Sequence, residues 1–577
     1  MNLKKKIISY SLFFFLFMFI FLILILFVFQ PFTSLADVQK NPEIVITDEQ
    51  GNELMHYMNY HRITPVDLER FDEDNLSYLL HIEDRSFMTH SGFNLQRIFK
   101  TLTSNLFHNQ RHGASTITQQ YIKNLYLNNS KSISRKIKEL YYAIKLEQVA
   151  TKEQILEGYL NCIYLGNDIY GFANASRYYF NTSYDRLTAQ QMIALIALLN
   201  APSYYSSHIT AWEKRKNELA KILHDDHLLD TTVYQQVVQP LDFDHCAKLY
   251  PDALLYYCDA VLNEFKQIAV KAKFNQKIII QTRYHSAIND QKFTTNANIA
   301  SITIDQDGFI LSCIGDIDYA RSTFNIALNG KRDIGSTIKP LLYYEALKCG
   351  YSPSTTHYSA PFSFQYHDET ISVSNYGSIY PYQKINMKNA LATSDNIYAI
   401  KTHLDLGMKT LVYHLRKYNI AAQALPSLAL GSIGMSLYQL IRIYSQFFTE
   451  GLYLEPKFIE TVSLDDQAVF KAHPQKKQLL KSDYVKQIKE LMNGMFDSKI
   501  KHATGLGIAS LLKEKCYGKS GLTDYDSYMI GFSNDILIAV WSGHLDNREL
   551  KDSATKKLPK QIFLQQMNAY IKNKNDV

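Results

Sequence analysis

The sequence predicts a multidomain protein: an N-terminal transmembrane helix, a mostly α-helical domain after it, and a final α/β domain in which short strands mix with helices. Three observations predict that order. A long apolar run occupies residues 7–29 behind three lysines. From about 76 to 227 apolar residues recur at helical spacing. From about 299 the texture changes to short strands and turns, as in "ASITIDQDGFILSCIGD". A length of 577 residues leaves room for several domains of ordinary size.

The first element is the apolar run, broken only by Ser9, Tyr10 and Ser11. At helical rise it is about 34 Å long, enough to cross the hydrocarbon core with some tilt. Lys4, Lys5 and Lys6 precede it, while Asp37 and Glu43 follow. The positive-inside rule then puts residues 1–6 in the cytoplasm and the rest of the chain outside. "SLA" at 34–36 offers a competing reading as a cleaved signal peptide, but the run exceeds the ~7–15 residues of a signal core. A retained anchor is expected.

"EIVITDEQGNELMHYM" reads as a hairpin alternating on both sides of Glu49-Gln50-Gly51. "ISRKIKELYYAIKLEQVA" places Ile133, Ile137, Leu140, Tyr141 and Ile144 on one helical face. "TKEQILEGYLNCIYL" opens on Thr151 with Gln154 three residues on, a capping-box pattern. Residues 229–290 are mixed and read as a linker module. "IGMSLYQLIRIYSQFF" is a helix inside the α/β region, and strands return in "DSYMIGFSNDILIAVWSG". The last residues, rich in Lys and Asn, read as a peripheral helix and tail. The expected boundaries are a tail 1–6, an anchor 7–29, a helical domain 40–228, the linker 229–290, an α/β domain 291–548 and a C-terminal tail 549–577.

Composition narrows the function classes. With 46% apolar and 20% charged residues, global disorder is excluded. The net charge of +6 is a mild bias that suits anionic lipid or pyrophosphate; no nucleic-acid partner is expected. The six cysteines contain no C-x-x-C pair, so neither a zinc site nor a disulfide framework is indicated, and buried free thiols are the default.

Chemistry first enters at "KRDIGSTIKPLLYYEAL". Ser336 precedes Lys339 by about one helical turn, so the two share a face. Alone, this reads as easily as the polar first turn of an ordinary helix. Two further motifs decide it: Ser394-Asp395-Asn396 in "TSDNIYAIK", and Lys519-Ser520-Gly521 in "YGKSGLTDYDSYMIGF". A Ser hydroxyl needs a base, which Lys339 becomes if burial and cationic neighbours lower its pKa. Ser394 and Asn396 can relay a proton and hold a substrate amide, and Lys519 and Ser520 can offer charge and a hydroxyl to a carboxylate. Gly521 would let a substrate backbone approach the strand.

The order Ser-x-x-Lys, Ser-x-Asn, Lys-Ser/Thr-Gly resembles the active-site set of penicillin-binding proteins and related serine acyltransferases. That resemblance implies an α/β (α+β) transpeptidase domain with an antiparallel sheet flanked by helices. It also implies an oxyanion hole from the N–H groups of Ser336 and Leu522. One departure is that the family usually carries a hydroxyl residue where Leu522 stands, which puts the grip on a substrate carboxylate in doubt.

The first half carries a second set. "IEDRSFMTHSGF", "GASTITQQYIKNLYL", "SRKIKELYYAIKLE" and "KEQILEGYLNCIYLGNDIYGFANASRYYF" follow in order. They resemble the lysozyme-like peptidoglycan glycosyltransferase domain of class A, bifunctional penicillin-binding proteins. Glycosyl transfer needs two carboxylates. Glu83 matches the family's general base and Glu139 its second Glu. Arg135 and Glu139, at i and i+4 opposite the apolar stripe, are expected to point out of the core. Lys123, Arg135 and Lys136 are the cations for a diphosphate leaving group. By the resemblance, Glu139 shares a divalent ion, Mg or Mn, while transpeptidation needs no cofactor. Ser115, Thr116, Gln119 and Gln120 would contact substrate or position loops; Glu157 and His90 read as structural. Lys100 and Ala114 depart from the family's usual Arg and Gly. Residues 97–112 suit an amphipathic segment against the membrane or, equally, a core helix.

The resemblance implies a bifunctional peptidoglycan synthase on the outer face of a bacterial cytoplasmic membrane. It would polymerise lipid II and cross-link stem peptides at D-Ala-D-Ala. Its expected partners are lipid II, nascent peptidoglycan, membrane lipid, proteins of a cell-wall synthesis complex, and β-lactams as covalent inhibitors at Ser336. The alternative is a glycosyltransferase whose second domain is a carboxypeptidase or a non-catalytic sensor.

Overall fold

The computed structural model describes residues 43–94, 115–126, 132–242, 248–268 and 276–576, with isolated positions at 14, 15, 17–19, 21, 97 and 270. Most of the expected anchor 7–29, the segment 97–112 beyond Arg97, Lys100, Ala114 and Cys246 lie outside the described residues. Among those described, no helix is long and apolar enough to cross a membrane. The described cysteines are free thiols, all buried except Cys349. The chain divides into two compact units.

The helical unit comprises mainly residues 55–249. Strands β1 (Glu43–Thr47) and β2 (Glu53–Met58) flank the expected turn, which the Asp48 N–H closes onto the Asn52 carbonyl at 3.0 Å. A short β3 (His61–Ile63) pairs antiparallel with β2. Helices α1 (Glu73–Asp84), α2 (Ile117–Tyr126), α3 (Ile133–Leu146), α4 (Lys152–Cys162), α5 (Phe172–Phe180), α6 (Ala189–Leu198) and α7 (Ile209–Asp225) follow. The predicted capping box forms at Thr151 and Gln154, starting α4. Helix α6, apolar all round, is the buried centre, with Met192 to Leu198 inside a core that also takes Tyr159, Leu160 and Trp212.

Helix α3 turns differently from its expected stripe. Leu140, Ala143 and Leu146 are buried, while Ile137, Tyr141 and Ile144 are half-buried. Glu139 lies on that buried face, one turn before Ala143, and is only 2% exposed. The expectation that Glu139 points out of the core is therefore corrected. α2 packs against α3, and its Gln119 meets Lys136, the ion-pair partner of Glu139.

The second unit is built on a five-stranded sheet. Its strands are β4 (Asn298–Asp305), β5 (Ile310–Ile314), β6 (Tyr517–Leu522), β7 (Asp526–Phe532) and β8 (Ile536–Gly543), in the order β6-β7-β8-β4-β5, every pair antiparallel. β8 is buried along its whole length, which explains its near-continuous apolar sequence. One face is covered by α8 (Leu437–Phe448), the other by α9 (Ser553–Asp576). The expected peripheral tail is thus part of the core: Ile562, Phe563 and Met567 are fully buried and Gln566 accepts a 2.8 Å hydrogen bond from Ser301. The expected linker is also divided, since Asp252–Phe265 is a helix of this second unit whose Tyr257 hydroxyl donates to the Ile310 carbonyl at 2.8 Å.

Candidate active sites

In the helical unit, Glu83 stands in the last turn of α1, half-buried. Burial pushes its carboxyl pKa up, against the opposing pull of a 2.8 Å hydrogen bond from the Gln120 amide and the charge of Arg97. Gln120 is itself held, because its carbonyl accepts from the hydroxyl of buried Tyr159 at 3.3 Å. Asp84, next in sequence, faces inward. It accepts the Ile117 N–H at 3.0 Å, fastening the start of α2, and receives His90 Nε2 at 2.8 Å. The Gly92 N–H donates to His90 Nδ1 at 3.1 Å, so Nε2 carries the proton. His90 is structural, as expected; Asp84 and Arg97, which donates to the Glu83 carbonyl at 2.6 Å, are the neighbours that sequence reasoning missed. The adjacency of Asp84 to Glu83 was the available signal.

Glu139, on α3, is held by cations and not by a glutamine. Arg135 pairs with one oxygen of Glu139 at 2.8 Å and Lys136 with the other. Lys136 also donates to Ser115 Oγ at 2.8 Å and toward Gln119 Oε1 at 3.5 Å. Thr116 and Gln119, expected to meet substrate or position loops, do the second. They are 0% and 2% exposed and cap each other, with the Gln119 N–H on Thr116 Oγ1 at 3.2 Å and the Thr116 N–H on Gln119 Oε1 at 3.3 Å. Lys123, one turn after Gln119, has its pKa lowered by burial and by Arg135 and Lys136. Three cations around one carboxylate leave a net positive pocket, which suits a diphosphate. Glu157 accepts the Leu68 N–H at 3.3 Å, a structural role. A resident metal does not fit: both oxygens of Glu139 are ion-paired, and the described residues hold no group of three potential ligands.

In the second unit the three motifs converge. Ser336, Ser394, Asn396, Ser520, Gly521 and Leu522 all line one cleft of about 1080 Å³. Ser336 lies in a 3₁₀ turn, Gly335–Ile338, that runs into the helix Lys339–Lys348. Lys339 is fully buried and donates to the carbonyls of Ser394 (2.8 Å) and Asp395 (3.2 Å) and to Asn396 Oδ1 (2.8 Å). The shared face expected from the spacing is thus used differently: the ammonium is turned toward the second motif. Burial brings its pKa down to about 7, against the pull of Asp395. Lys519, also fully buried, donates to Ser394 Oγ at 2.9 Å and to the Ser520 carbonyl at 2.7 Å. Burial and the charges of Lys339 and Lys560 hold its pKa well below the usual lysine value. Ser394, between the two lysines, is left-handed at φ +61°, a conformation that costs a non-glycine residue about 1–3 kcal/mol.

Asp395, missed as a functional group, holds that strained corner in place. Its buried carboxylate accepts Asn375 Nδ2 and the Tyr398 N–H, both at 2.7 Å. Gly521 is explained differently from the expectation. A Cβ there would sit 2.8 Å from the Ile334 carbonyl oxygen and 2.8 Å from Thr337 Cγ2, so its missing side chain admits the nucleophile turn. The Thr523 N–H bonds the Asp526 carbonyl at 2.9 Å, so by strand alternation the Leu522 N–H faces the open edge of β6. It lies near Gly335, whose added Cβ would be 3.2 Å from that nitrogen.

Residues 50–224 match the Transglycosylase family and residues 299–563 the Penicillin binding protein transpeptidase domain. The chain is 34% identical over 518 residues to penicillin-binding protein 2D of Bacillus subtilis, covering 85% of this chain and 75% of that one. It is 26% identical to penicillin-binding protein 1B of Vibrio cholerae, over 84% of this chain and 66% of that one. The fold is similar to the crystal structure of penicillin-binding protein 1A from Haemophilus influenzae, with a TM-score of 0.58 and 17% identity, covering 91% of this chain and 92% of that one.

Proposed function

The chain belongs to the class A penicillin-binding proteins, the bifunctional peptidoglycan synthases, and from that premise we propose how its residues divide the two reactions. In glycan polymerisation Glu83 takes the proton of the acceptor sugar's 4-hydroxyl. Its raised pKa makes it the stronger base. The freed oxygen attacks the anomeric carbon of the lipid-linked donor, the bond to the diphosphate breaks, and configuration inverts. Lys123, Arg135 and Lys136 meet the charge of the departing diphosphate. The divalent ion expected for this step would come with the substrate's own phosphate oxygens.

In cross-linking, Lys339 gives up one of its three acceptors and takes the Ser336 proton. Ser336 Oγ attacks the carbonyl carbon of the D-Ala-D-Ala bond, and the N–H groups of Ser336 and Leu522 hold the oxyanion. The C–N bond breaks, the leaving D-Ala amine takes a proton through Ser394, and an amine from a neighbouring stem resolves the ester. A β-lactam opens at the same Ser336 but keeps its leaving nitrogen tethered. Residues 7–29 would anchor the chain in the cytoplasmic membrane with residues 1–6 inside, near membrane lipid and other cell-wall synthesis proteins.

The observation that carries this reading is the double convergence: buried Lys339 and Lys519 meet at Ser394 in one unit, and in the other Gln120 bonds Glu83 while Arg135 and Lys136 hold Glu139. The test is incubation of the purified protein with lipid II and Mg, then muramidase digestion. Penicillin-sensitive cross-linked muropeptides are expected. Polymer without dimers would overturn the transpeptidase assignment, and no polymer would overturn that of Glu83. Chelation with EDTA is expected to slow polymerisation and leave penicillin acylation unchanged.

A further inference from the structure

The substrate of the second site ends in a carboxylate, as does a penicillin, yet the first candidates for its recognition are already committed. Lys339 and Lys519 are buried and spend their donors on Ser394, Asp395, Asn396 and Ser520. Lys519 is also held well below the usual lysine pKa by burial and by the charges of Lys339 and Lys560. Strand β6 contributes one hydroxyl, Ser520, and then turns apolar at Leu522.

Helix α9 passes the same cleft. Its Lys556 carbonyl accepts the Ser527 hydroxyl at 2.8 Å, and Ser527 is the register partner of Leu522. Further along, Phe563 packs where a Cβ on Gly531 would meet it at 2.9 Å, and Gly531 is the partner of Gly518. The helix therefore runs alongside the strand from the Leu522 level to the Gly518 level. Lys560, one turn beyond Lys556, falls between them, level with Lys519 and Ser520. It lines the cleft together with Ser336, Ser520 and Leu522. Among the described residues no carboxylate forms an ion pair with it. Burial and the neighbouring Lys557 lower its pKa, the state of a cation short of a counter-charge.

We propose that Lys560, from the C-terminal helix, receives the terminal carboxylate of the stem peptide or β-lactam at the Ser336 site, the charge recognition that Leu522 cannot give. The proposal rests on the reading of Ser336 as the acylated nucleophile. Its role is specificity: the carboxylate is gripped between the Lys560 ammonium and the Ser520 hydroxyl while the reacting carbonyl faces Ser336.

The test compares acylation of the full chain by a penicillin and by its carboxylate methyl ester, in wild type, Lys560→Ala, Lys560→Arg and Lys560→Ala combined with Leu522→Thr. Wild type is expected to prefer the free acid. Lys560→Ala should lose about 10–100-fold in acylation rate with the acid, the loss of one charge-assisted contact, and react with the ester as wild type does. Lys560→Arg should keep most of the preference, and Leu522→Thr should restore part of it in the Ala background. Equal losses toward acid and ester would make Lys560 a packing residue and overturn the proposal, as would an Ala variant that still prefers the acid. A wild type that labels with neither compound would overturn the assignment of Ser336 itself, a distinguishable failure.

Discussion

Lys339 sets the pH behaviour of the acyl-transfer site. Because its folded pKa is lowered to about 7, the amine is free to accept a proton only above that value. Penicillin acylation of Ser336 is expected to rise with pH through about 7 and to fall roughly tenfold per unit below it, measured as the second-order rate between pH 5.5 and 9. The sign for stability is the same. Between about 7 and the ordinary lysine value the unfolded chain binds more protons, so this lysine makes the fold more stable as pH rises across that window. Glu83 carries the opposite sign, since its raised pKa means that its charged form is the disfavoured one. Glu83→Gln should abolish polymerisation of lipid II without lowering the melting temperature at pH 7, checked by calorimetry. The types and order of these residues could be read from the sequence alone. The burial of Glu139 could not. The stripes Ile137-Tyr141-Ile144 and Leu140-Ala143 lie about 100° apart on one helix, and only the packing of α2 selects between them.

The tightest joint between secondary-structure elements is where the nucleophile turn meets its supports. Gly431, at φ +83°, has no room for a side chain, because a Cβ would come within 1.9 Å of the Gly335 carbonyl oxygen. Gly431→Ala is expected to cost about 2–5 kcal/mol and to abolish penicillin labelling, seen by denaturant unfolding and gel fluorescence. Helix α9 shows why an element can be hidden in sequence. Its buried residues, Ile562, Phe563, Gln566 and Met567, are spread among lysines and asparagines, so composition suggests a tail while spacing makes a stripe. Pro559 interrupts its ladder without freeing it from the sheet. The Thr555 carbonyl, which receives no hydrogen bond from Pro559 because proline has no N–H, accepts the Ser542 hydroxyl at 2.9 Å instead. Ending the chain at 552 would remove Ile562, Phe563 and Met567 and expose the sheet side chains packed with them, such as Met529, Ile538 and Val540, worth roughly 2 kcal/mol each, and limited proteolysis should then degrade the acyl-transfer unit while sparing the helical one.

Taken as a whole, the molecule carries two reactions on two separately cored units. Ser336→Ala is expected to produce glycan at the wild-type rate with no cross-links, and Glu83→Gln to keep full penicillin labelling. Product analysis with and without penicillin checks both. The domain order was readable because each unit announces itself with several motifs in sequence. The boundaries were less so, since the helix Asp252–Phe265 and helix α9 declare their allegiance only through what they pack on. The sheet that joins β4 (Asn298–Asp305) to β8 (Ile536–Gly543) fixes one thing more. The first of these strands leaves the ribosome long before its partner exists, and the helix covering them is translated after both. The helical unit, closed by contacts nearer in sequence, can mature while synthesis continues. The penicillin-reactive centre is then completed after the helical unit, and while residues 306–535 are being made the β4 edge that β8 will pair stands open, a stretch in which a half-built sheet has to be kept from sticking.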